Sequence, residues 1–408
     1  GESCTIHPHK GGEGVPNPPM PPAHNPTGCY RREFTLPENF AGRRVYLSFE
    51  GVETAYYLWV NGNPVGYSED SKLPSEFEIT PYLQKGENLF ALQVMRFSTA
   101  TYEEDQDYWY LSGIYRNVWL LAKPQIAIED YKITAIPDLH QGTGTVSADI
   151  TVTRKDGFAD FLVQLQVFDG DRLLAEGQGE IMPIAWYRTQ ERPSGNTGRV
   201  TLKLDRAELW SPDSPKLYRG VITLLAPDGG KADVESCRFG FKTVEVKNGV
   251  VLLNGERLLV RGVNRHEHYP MGRSVPKAHM IEEIRQMKRM NINSVRTCHY
   301  PDSPLWYDLC DEYGILLVCE CNLETHGVEG LLSHNPDYAA SYVERGVRMV
   351  KTHKNHVSIY SWSLGNESGF GGNHAAMYGF IKEYDHTRLC QYEAGEPEKN
   401  ISDIRGNM

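Results

Sequence analysis

Two periodicities divide this sequence, and the place where one replaces the other limits the possible folds more than any other feature. From Tyr30 to Leu121 the apolar residues fall in short β-type runs separated by turns: Val45 to Phe49, Tyr56 to Val60, the Asn61-Gly62 turn, Leu89 to Val94 and Val118 to Leu121. That spacing predicts an all-β sandwich. The alternation resumes after Pro124 in Ile126 to Ile133, Thr145 to Thr153, Phe161 to Phe168, Val200 to Leu204 and Val221 to Leu225, with Asp-Gly turns at Asp156-Gly157 and Asp228-Gly229. A second sandwich of about 100 residues follows. Near Lys247 the pattern changes. Leu258 to Val263 reads as a buried strand, Met280, Ile281, Ile284, Met287 and Met290 recur at helical spacing, and Ser294 to Arg296 is strand-like again. The cycle repeats with helices near Leu305 to Tyr313, Tyr338 to His353 and Ala375 to Glu383, and with strands at Ile315 to Cys319, Ser358 to Trp362 and Leu389 to Tyr392.

Strand and helix in alternation predict βα units on a parallel sheet. A closed (β/α)₈ barrel needs eight strands and about 250 residues. The stretch from Lys247 to Met408 holds fewer of both, so the expectation is an incomplete barrel. The implied division is a Pro- and Gly-rich arm at 1–24, a first sandwich at 25–124, a second at 125–245 and the opening part of a barrel at 246–408.

Composition excludes several functional classes. With 408 residues, 40% of them hydrophobic and 23% charged, the chain has material for more than one core. A net charge of -11 argues against nucleic acid as a partner and suits a neutral or cationic substrate. The longest wholly apolar runs, such as Ile315 to Cys319, fall far below the roughly 20 residues that cross a bilayer, so a soluble protein with no membrane partner is expected. Eight unevenly spaced Cys do not form a disulfide framework and point to a reducing compartment such as the cytoplasm. Gly1 is not an initiator Met, which leaves room for a removed upstream signal.

In a barrel the strand ends and the loops after them carry the chemistry, because that face collects side chains from every strand. Here the strand ends are Asn264-Arg265-His266-Glu267-His268, Arg296-Thr297-Cys298-His299-Tyr300, Asn322-Leu323-Glu324-Thr325-His326 and Leu364-Gly365-Asn366-Glu367-Ser368. One strand-end His or Glu is most often a surface or capping residue, whereas four consecutive polar ends on one rim point to a site. Glu367, preceded by Asn366, suits a carboxyl group that protonates a leaving oxygen while the amide binds a substrate hydroxyl. Glu324 and His326 lie two apart, so on an extended backbone they project to one side. They form either a divalent-metal half-site that Glu367 could complete, Mg²⁺ being suited to so few protein ligands, or a structural hydrogen-bonded pair. The acidic run Glu103-Glu104-Asp105-Gln106-Asp107 reads by spacing as a solvated loop, although the neighbouring Tyr108 and Trp109 could face a sugar ring. Cys319 and Cys321 share a strand face and read as packing, since no second Cys pair accompanies them.

With these motifs in hand, the chain resembles the amino-terminal part of glycoside hydrolase family 2 enzymes, the large bacterial β-galactosidases most of all. The resemblance runs from about Asn25 to Met408 through Asn25-Pro26-Thr27-Gly28-Cys29-Tyr30, Asp70-Ser71-Lys72-Leu73-Pro74-Ser75-Glu76-Phe77, Glu104-Asp105-Gln106-Asp107, Arg261 to His268 and Trp362 to Gly369. It implies a jelly-roll sugar-binding domain, an immunoglobulin-like sandwich and a (β/α)₈ barrel. It further implies a retaining hydrolase of terminal β-D-galactosides such as lactose, with Glu367 as acid/base. Mg²⁺ would sit on Glu324, His326 and Glu367. His266, His299 and Asn366 would contact the sugar, and Asp105 would reach both the sugar and Na⁺. A homo-oligomer is implied as well.

Two departures stand out. Gly1 to Pro22 does not match the Asn-bearing stretch with which the family touches substrate. The family's nucleophile is a second Glu in a Cys-Glu-Tyr type motif on a later strand, and nothing after Glu367 matches it; Tyr392-Glu393-Ala394 aligns with the fifth strand instead. The nucleophile and the remaining barrel are therefore expected on further polypeptide, in cis or on another chain. β-Glucuronidases of the family generally carry Asn-Glu-Pro where this chain has Asn366-Glu367-Ser368, which favours galactoside over glucuronide. The competing expectations are a non-catalytic sugar-binding or scaffold fragment, and a family hydrolase for another β-glycoside such as a glucuronide or mannoside.

Overall fold

The computed structural model describes residues 21, 23–153, 161–182, 196–393 and 401–404. Most of the Pro- and Gly-rich arm and the Asp156-Gly157 turn lie outside them. The first sandwich pairs a four-stranded sheet, ordered Thr27–Thr35, Glu87–Met95, Ala55–Val60 and Asn63–Ser68, with a three-stranded sheet of Ser75–Glu78, Arg44–Phe49 and Val118–Lys123. Asn61 and Gly62 both take positive φ, 49° and 80°, which gives the hairpin twist that matches the flanking strands. Alternate residues of these strands, including Val45, Leu47, Phe49, Tyr56, Leu58, Leu92 and Val94, fill the space between the layers. Strand Thr27–Thr35 escapes sequence reading because its residues are almost all exposed and polar, so no apolar alternation marks it.

The second sandwich is a seven-stranded antiparallel sheet, in the order Ile128–Asp138, Thr143–Val152, Thr197–Leu204, Arg172–Met182, Leu162–Asp169, Tyr218–Leu225 and Lys231–Phe239. Strand Arg172–Met182 pairs along most of its length with Leu162–Asp169 and at Ile181 and Met182 with Thr197–Leu204. Arg172–Met182 and Lys231–Phe239 are charged on one face and Gly-rich or short-chained on the other, which hid them from the pattern.

The third unit is a parallel sheet of five strands with helices between them. In chain order these are β1 (Gly262–Arg265), α1 (Lys277–Arg289), β2 (Ser294–Thr297), α2 (Pro304–Tyr313), β3 (Leu316–Glu320), α3 (Ala339–His353), β4 (Ile359–Ser363), α4 (Gly372–Tyr384) and β5 (Leu389–Gln391). β3 and β4 are buried at every position, as parallel strands covered on both faces must be. Pro304 opens α2, where its missing N–H costs nothing, and Gly314 at φ 75° closes it against Pro212 O, where a Cβ would approach within 2.5 Å.

One strand expectation needs correction. Leu258 to Val263 is not a buried strand: β1 starts at Gly262, while Leu259 is 63% and Val260 46% exposed. The run is as apolar as a core strand, but β1 is an edge whose only partner among the described residues is β2. Met290, read with the apolar face of α1, is likewise exposed as the residue just past its end.

The units are not independent. Leu73 and Tyr102 of the first sandwich sit in the same apolar cluster as Val295, Leu317, Ile359 and Trp362 of the barrel sheet. On the opposite end, Trp210 from the second sandwich packs with Leu316, Val318 and Tyr360 and donates its indole N–H to Asp311 O at 2.9 Å. No helix among the described residues is long and apolar enough to cross a membrane.

Candidate active site

The carboxyl ends of β1 to β4 bring the rim residues into mutual contact. His266 follows β1 and His299 follows β2, and their rings meet edge to face with centroids 5.5 Å apart. His299 Nδ1 lies 2.7 Å from Glu320 Oε1. Glu320, fully buried at the end of β3, also accepts from Arg296 Nε at 2.6 Å and from Ser363 Oγ at 2.7 Å. Arg296 in turn donates to Asn366 Oδ1 at 2.9 Å. One buried carboxylate therefore sets the imidazole after β2 and, through a guanidinium, the amide after β4.

Next to Asn366, one ligand atom each of Glu324, His326 and Glu367 lies within 4.8 Å of the other two. His326 Nδ1 is 3.5 Å from Glu367 Oε2 and 3.8 Å from Glu324 Oε1. Glu324 is the buried member, with a side chain 1% exposed, while Glu367 is 32% and His326 42% exposed. Glu324 Oε2 has no hydrogen-bond partner among the described residues. Burial pushes the Glu324 carboxyl up to about 8, against an opposing hydrogen bond from Asn366 and with the Glu367 charge adding to the rise. A buried carboxylate oxygen left unpaired beside a second carboxylate and an imidazole fits a hard divalent cation that would supply the missing partner.

The acidic loop of the first sandwich forms one wall, and here the spacing argument fails. Glu103, Glu104, Asp105 and Gln106 are buried, not solvated. Glu324 N donates to Glu103 O at 2.8 Å and Asp105 N to Glu324 O at 2.9 Å, so the loop pairs with the chain after β3 as a strand would. Asp105 accepts from Tyr110 Oη at 2.6 Å and from Gly327 N at 2.7 Å, bracing the turn that carries His326. Gln106 donates to Asn322 Oδ1 at 3.1 Å and to His299 O at 3.3 Å. Tyr108 lies flat on His266, centroids 4.5 Å apart at 7°, and Trp109 stacks behind it, 40% exposed. Burial lowers His266 to about 4, with His299 and His268 contributing, so its ring is neutral at physiological pH.

Beneath this wall Arg345 of α3 holds the loop's charges: its Nη1 is 2.8 Å from Glu104 Oε1, its Nη2 3.1 Å from Glu103 Oε2, and Asp70 Oδ1 lies 3.6 Å away. The same Nη1 donates to Asn322 O at 2.8 Å.

All seven residues singled out from the sequence, Asp105, His266, His299, Glu324, His326, Asn366 and Glu367, thus line the rim or its wall. Sequence reading missed Glu320, because it ends an apolar run, and Arg345, because it interrupts the buried stripe of α3. Cys319 and Cys321 are buried in the barrel core, and Tyr307 Oη meets Cys319 Sγ at 3.2 Å. Glu393, just past β5, receives a hydrogen bond from the Glu367 backbone while burial raises its carboxyl.

A parallel barrel sheet fronted by two sandwiches, the first of which lends a loop to the rim, defines the architectural class. The chain matches Glycosyl hydrolases family 2 in three stretches: the sugar binding domain over residues 14–124, the central domain over 126–242 and the TIM barrel domain over 244–408. It belongs to that family. Similar proteins include a Beta-galactosidase of Pseudoalteromonas haloplanktis, 45% identical over 95% of this chain and 37% of that protein, and one of Vibrio cholerae, 45% identical over 95% of this chain and 38% of that protein. The chain thus spans little more than a third of the length of these relatives. Among solved structures, a β-glucuronidase of Bifidobacterium dentium superposes with a TM-score of 0.76 at 24% identity, covering 89% of this chain and 65% of that one. A β-glycosidase of Bacteroides vulgatus gives 0.74 at 25% identity, over 91% of this chain and 46% of that one.

Proposed function

We propose that this chain is the front part of a retaining glycosidase for terminal β-D-galactosides such as lactose, with Glu367 as the general acid/base. The observation that carries the reading is the convergence of Glu324, His326 and Glu367 within 4.8 Å, joined through Asn366, Arg296 and Glu320 to His299 and His266. In this reading Glu367, the more accessible carboxyl of the cluster, gives its proton to the departing glycosidic oxygen and later takes one from water. Asn366, His299 and neutral His266 bind sugar hydroxyls. Trp109, the exposed outer ring of the His266–Tyr108–Trp109 stack, faces the CH-rich side of a ring. Glu324, His326 and Glu367 would hold Mg²⁺, which lowers the cost of burying Glu324 as an anion. Asp105 Oδ1 accepts from Tyr110 Oη and Oδ2 from Gly327 N, and in this reading the same carboxylate would also meet Na⁺ and a sugar hydroxyl.

Two carboxyl groups about 5 to 5.5 Å apart are required for retention, and the second, the nucleophile, is assigned to polypeptide outside this sequence. A homo-oligomer is part of the same proposal, as is a cytoplasmic location. Galactoside is preferred over glucuronide on two grounds. The relatives at 45% identity are named Beta-galactosidase. In addition, Ser368 N donates to Tyr392 Oη at 3.1 Å, a bond that the Asn-Glu-Pro sequence could not make. The test is hydrolysis of an aryl β-galactoside by this chain alone and by a chain extended with a relative's remaining residues. Activity should appear only on extension and vanish in Glu367→Gln; turnover by the 408-residue chain alone would refute the external nucleophile.

A further inference from the structure

We propose that His266, Cys298 and His299 form a second metal site, for a soft divalent cation such as Zn²⁺, on the rim occupied by the Glu324–His326–Glu367 cluster. One ligand atom of each residue lies within 4.8 Å of the other two. The donor chemistry separates the two clusters: two carboxylates and an imidazole suit a hard ion, whereas a thiol and two imidazoles suit zinc. Each ring is also held as a metal-bound imidazole is held. His299 Nδ1 faces the buried Glu320 carboxylate at 2.7 Å, the partner that commonly orients a ligating imidazole and leaves its other nitrogen for the metal. His266 Nδ1 lies 3.3 Å from Tyr300 Oη, and its ring is fixed flat against Tyr108.

Cys298 is buried at 2% exposure while both imidazoles are partly open, so a cation held by the three would be reached from the imidazole side, and three protein donors would leave a fourth position for water or another ligand. On binding, the Cys298 S–H bond breaks heterolytically, the proton passes to buffer and the sulfur lone pair bonds the cation; no electron is transferred. If the proposed sugar site is also right, a cation here occupies space beside the hydroxyls that His266 and His299 would bind and competes with the glycoside.

The metal-free 408-residue chain, kept in excess Mg²⁺ to fill the carboxylate cluster, is titrated with Cd²⁺ and followed by ultraviolet thiolate-to-cadmium absorption. We expect one tight equivalent per chain, weakened at least tenfold in Cys298→Ser and in His266→Gln. The second variant keeps the thiol and covers the case in which the first does not fold. Unchanged titrations in the folded variants overturn the proposal. Repeating the titration in saturating galactose separates the two readings: Cd²⁺ binding that galactose leaves unaltered counts against the sugar site and upholds the metal site.

Discussion

Arg345→Met removes a guanidinium that three carboxylates share. The side chains involved are all but sealed from water, at 3% exposure for Arg345, 3% for Glu103, 4% for Glu104 and 5% for Asp70. Methionine keeps the apolar stem, so the change is largely one of charge. Removing one partner from a buried ion pair costs about 3–5 kcal/mol, since the other partner is left without compensation. The sign of the pH dependence follows from the carboxyls. Burial already raises Glu103 and Glu104 above their ordinary value, and Arg345 is the largest influence in the opposite direction. Without it both rise further. A carboxyl whose folded pKa exceeds its unfolded value binds its proton more tightly in the folded protein, so stability is lost as pH rises from the unfolded value, about 4.5, through the folded one. The deficit of Arg345→Met should therefore be largest near pH 8 and shrink toward pH 5. Urea unfolding at both pH values, followed by tryptophan fluorescence, measures it. A triple variant, Glu103→Gln, Glu104→Gln and Arg345→Met, should recover most of the loss by removing the stranded charges. A deficit below about 1 kcal/mol at pH 8, or one that grows on acidification, would show that the network is not the electrostatic unit described, given the usual cost of such a break.

Glu320→Gln should leave the fold intact but lower kcat/KM of the extended enzyme by roughly 10- to 100-fold, about 1.5–3 kcal/mol for a lost charge-assisted hydrogen bond. Circular dichroism and a kcat-against-KM comparison check this; unchanged kinetics would remove Glu320 from its positioning role. Ser368→Pro deletes the N–H bonded to Tyr392 Oη and the hydroxyl that accepts from Thr325 N at 3.0 Å, so the chain should lose about 2–4 kcal/mol in thermal melts. Mg²⁺ at a hundred times its dissociation constant should stabilise the chain by about 2.7 kcal/mol, and Glu324→Gln should abolish that gain. A melting temperature that ignores Mg²⁺ and chelator alike would empty the proposed cation site of meaning.

The βα grammar after Lys247 was readable because buried parallel strands such as β3 and β4 are continuous apolar runs and α1 and α2 carry a clear helical period. It misled at Leu258 to Val263, where apolarity says nothing about whether a neighbouring strand is present. Rim residues were legible because they follow strands. The supporting layer was not: Glu320 and Arg345 are polar residues in apolar company, and Glu103 to Gln106 looks like any hydrated acidic loop until α3 is folded beneath it. What buries that loop lies 241 positions away along the chain, at the Glu104–Arg345 contact. No local window contains both ends of such an interaction.

That pairing of the first-sandwich loop with the segment after β3 bears on recombination. Pro124, between the sandwiches, looks like a natural crossover point for chimeras, yet a junction there would split the rim between two parents. Glu103 and Asp105 from one would have to find their backbone register against Glu324 from the other, and Arg345 would inherit foreign carboxylates. The front sandwich travels usefully only in company with its own barrel.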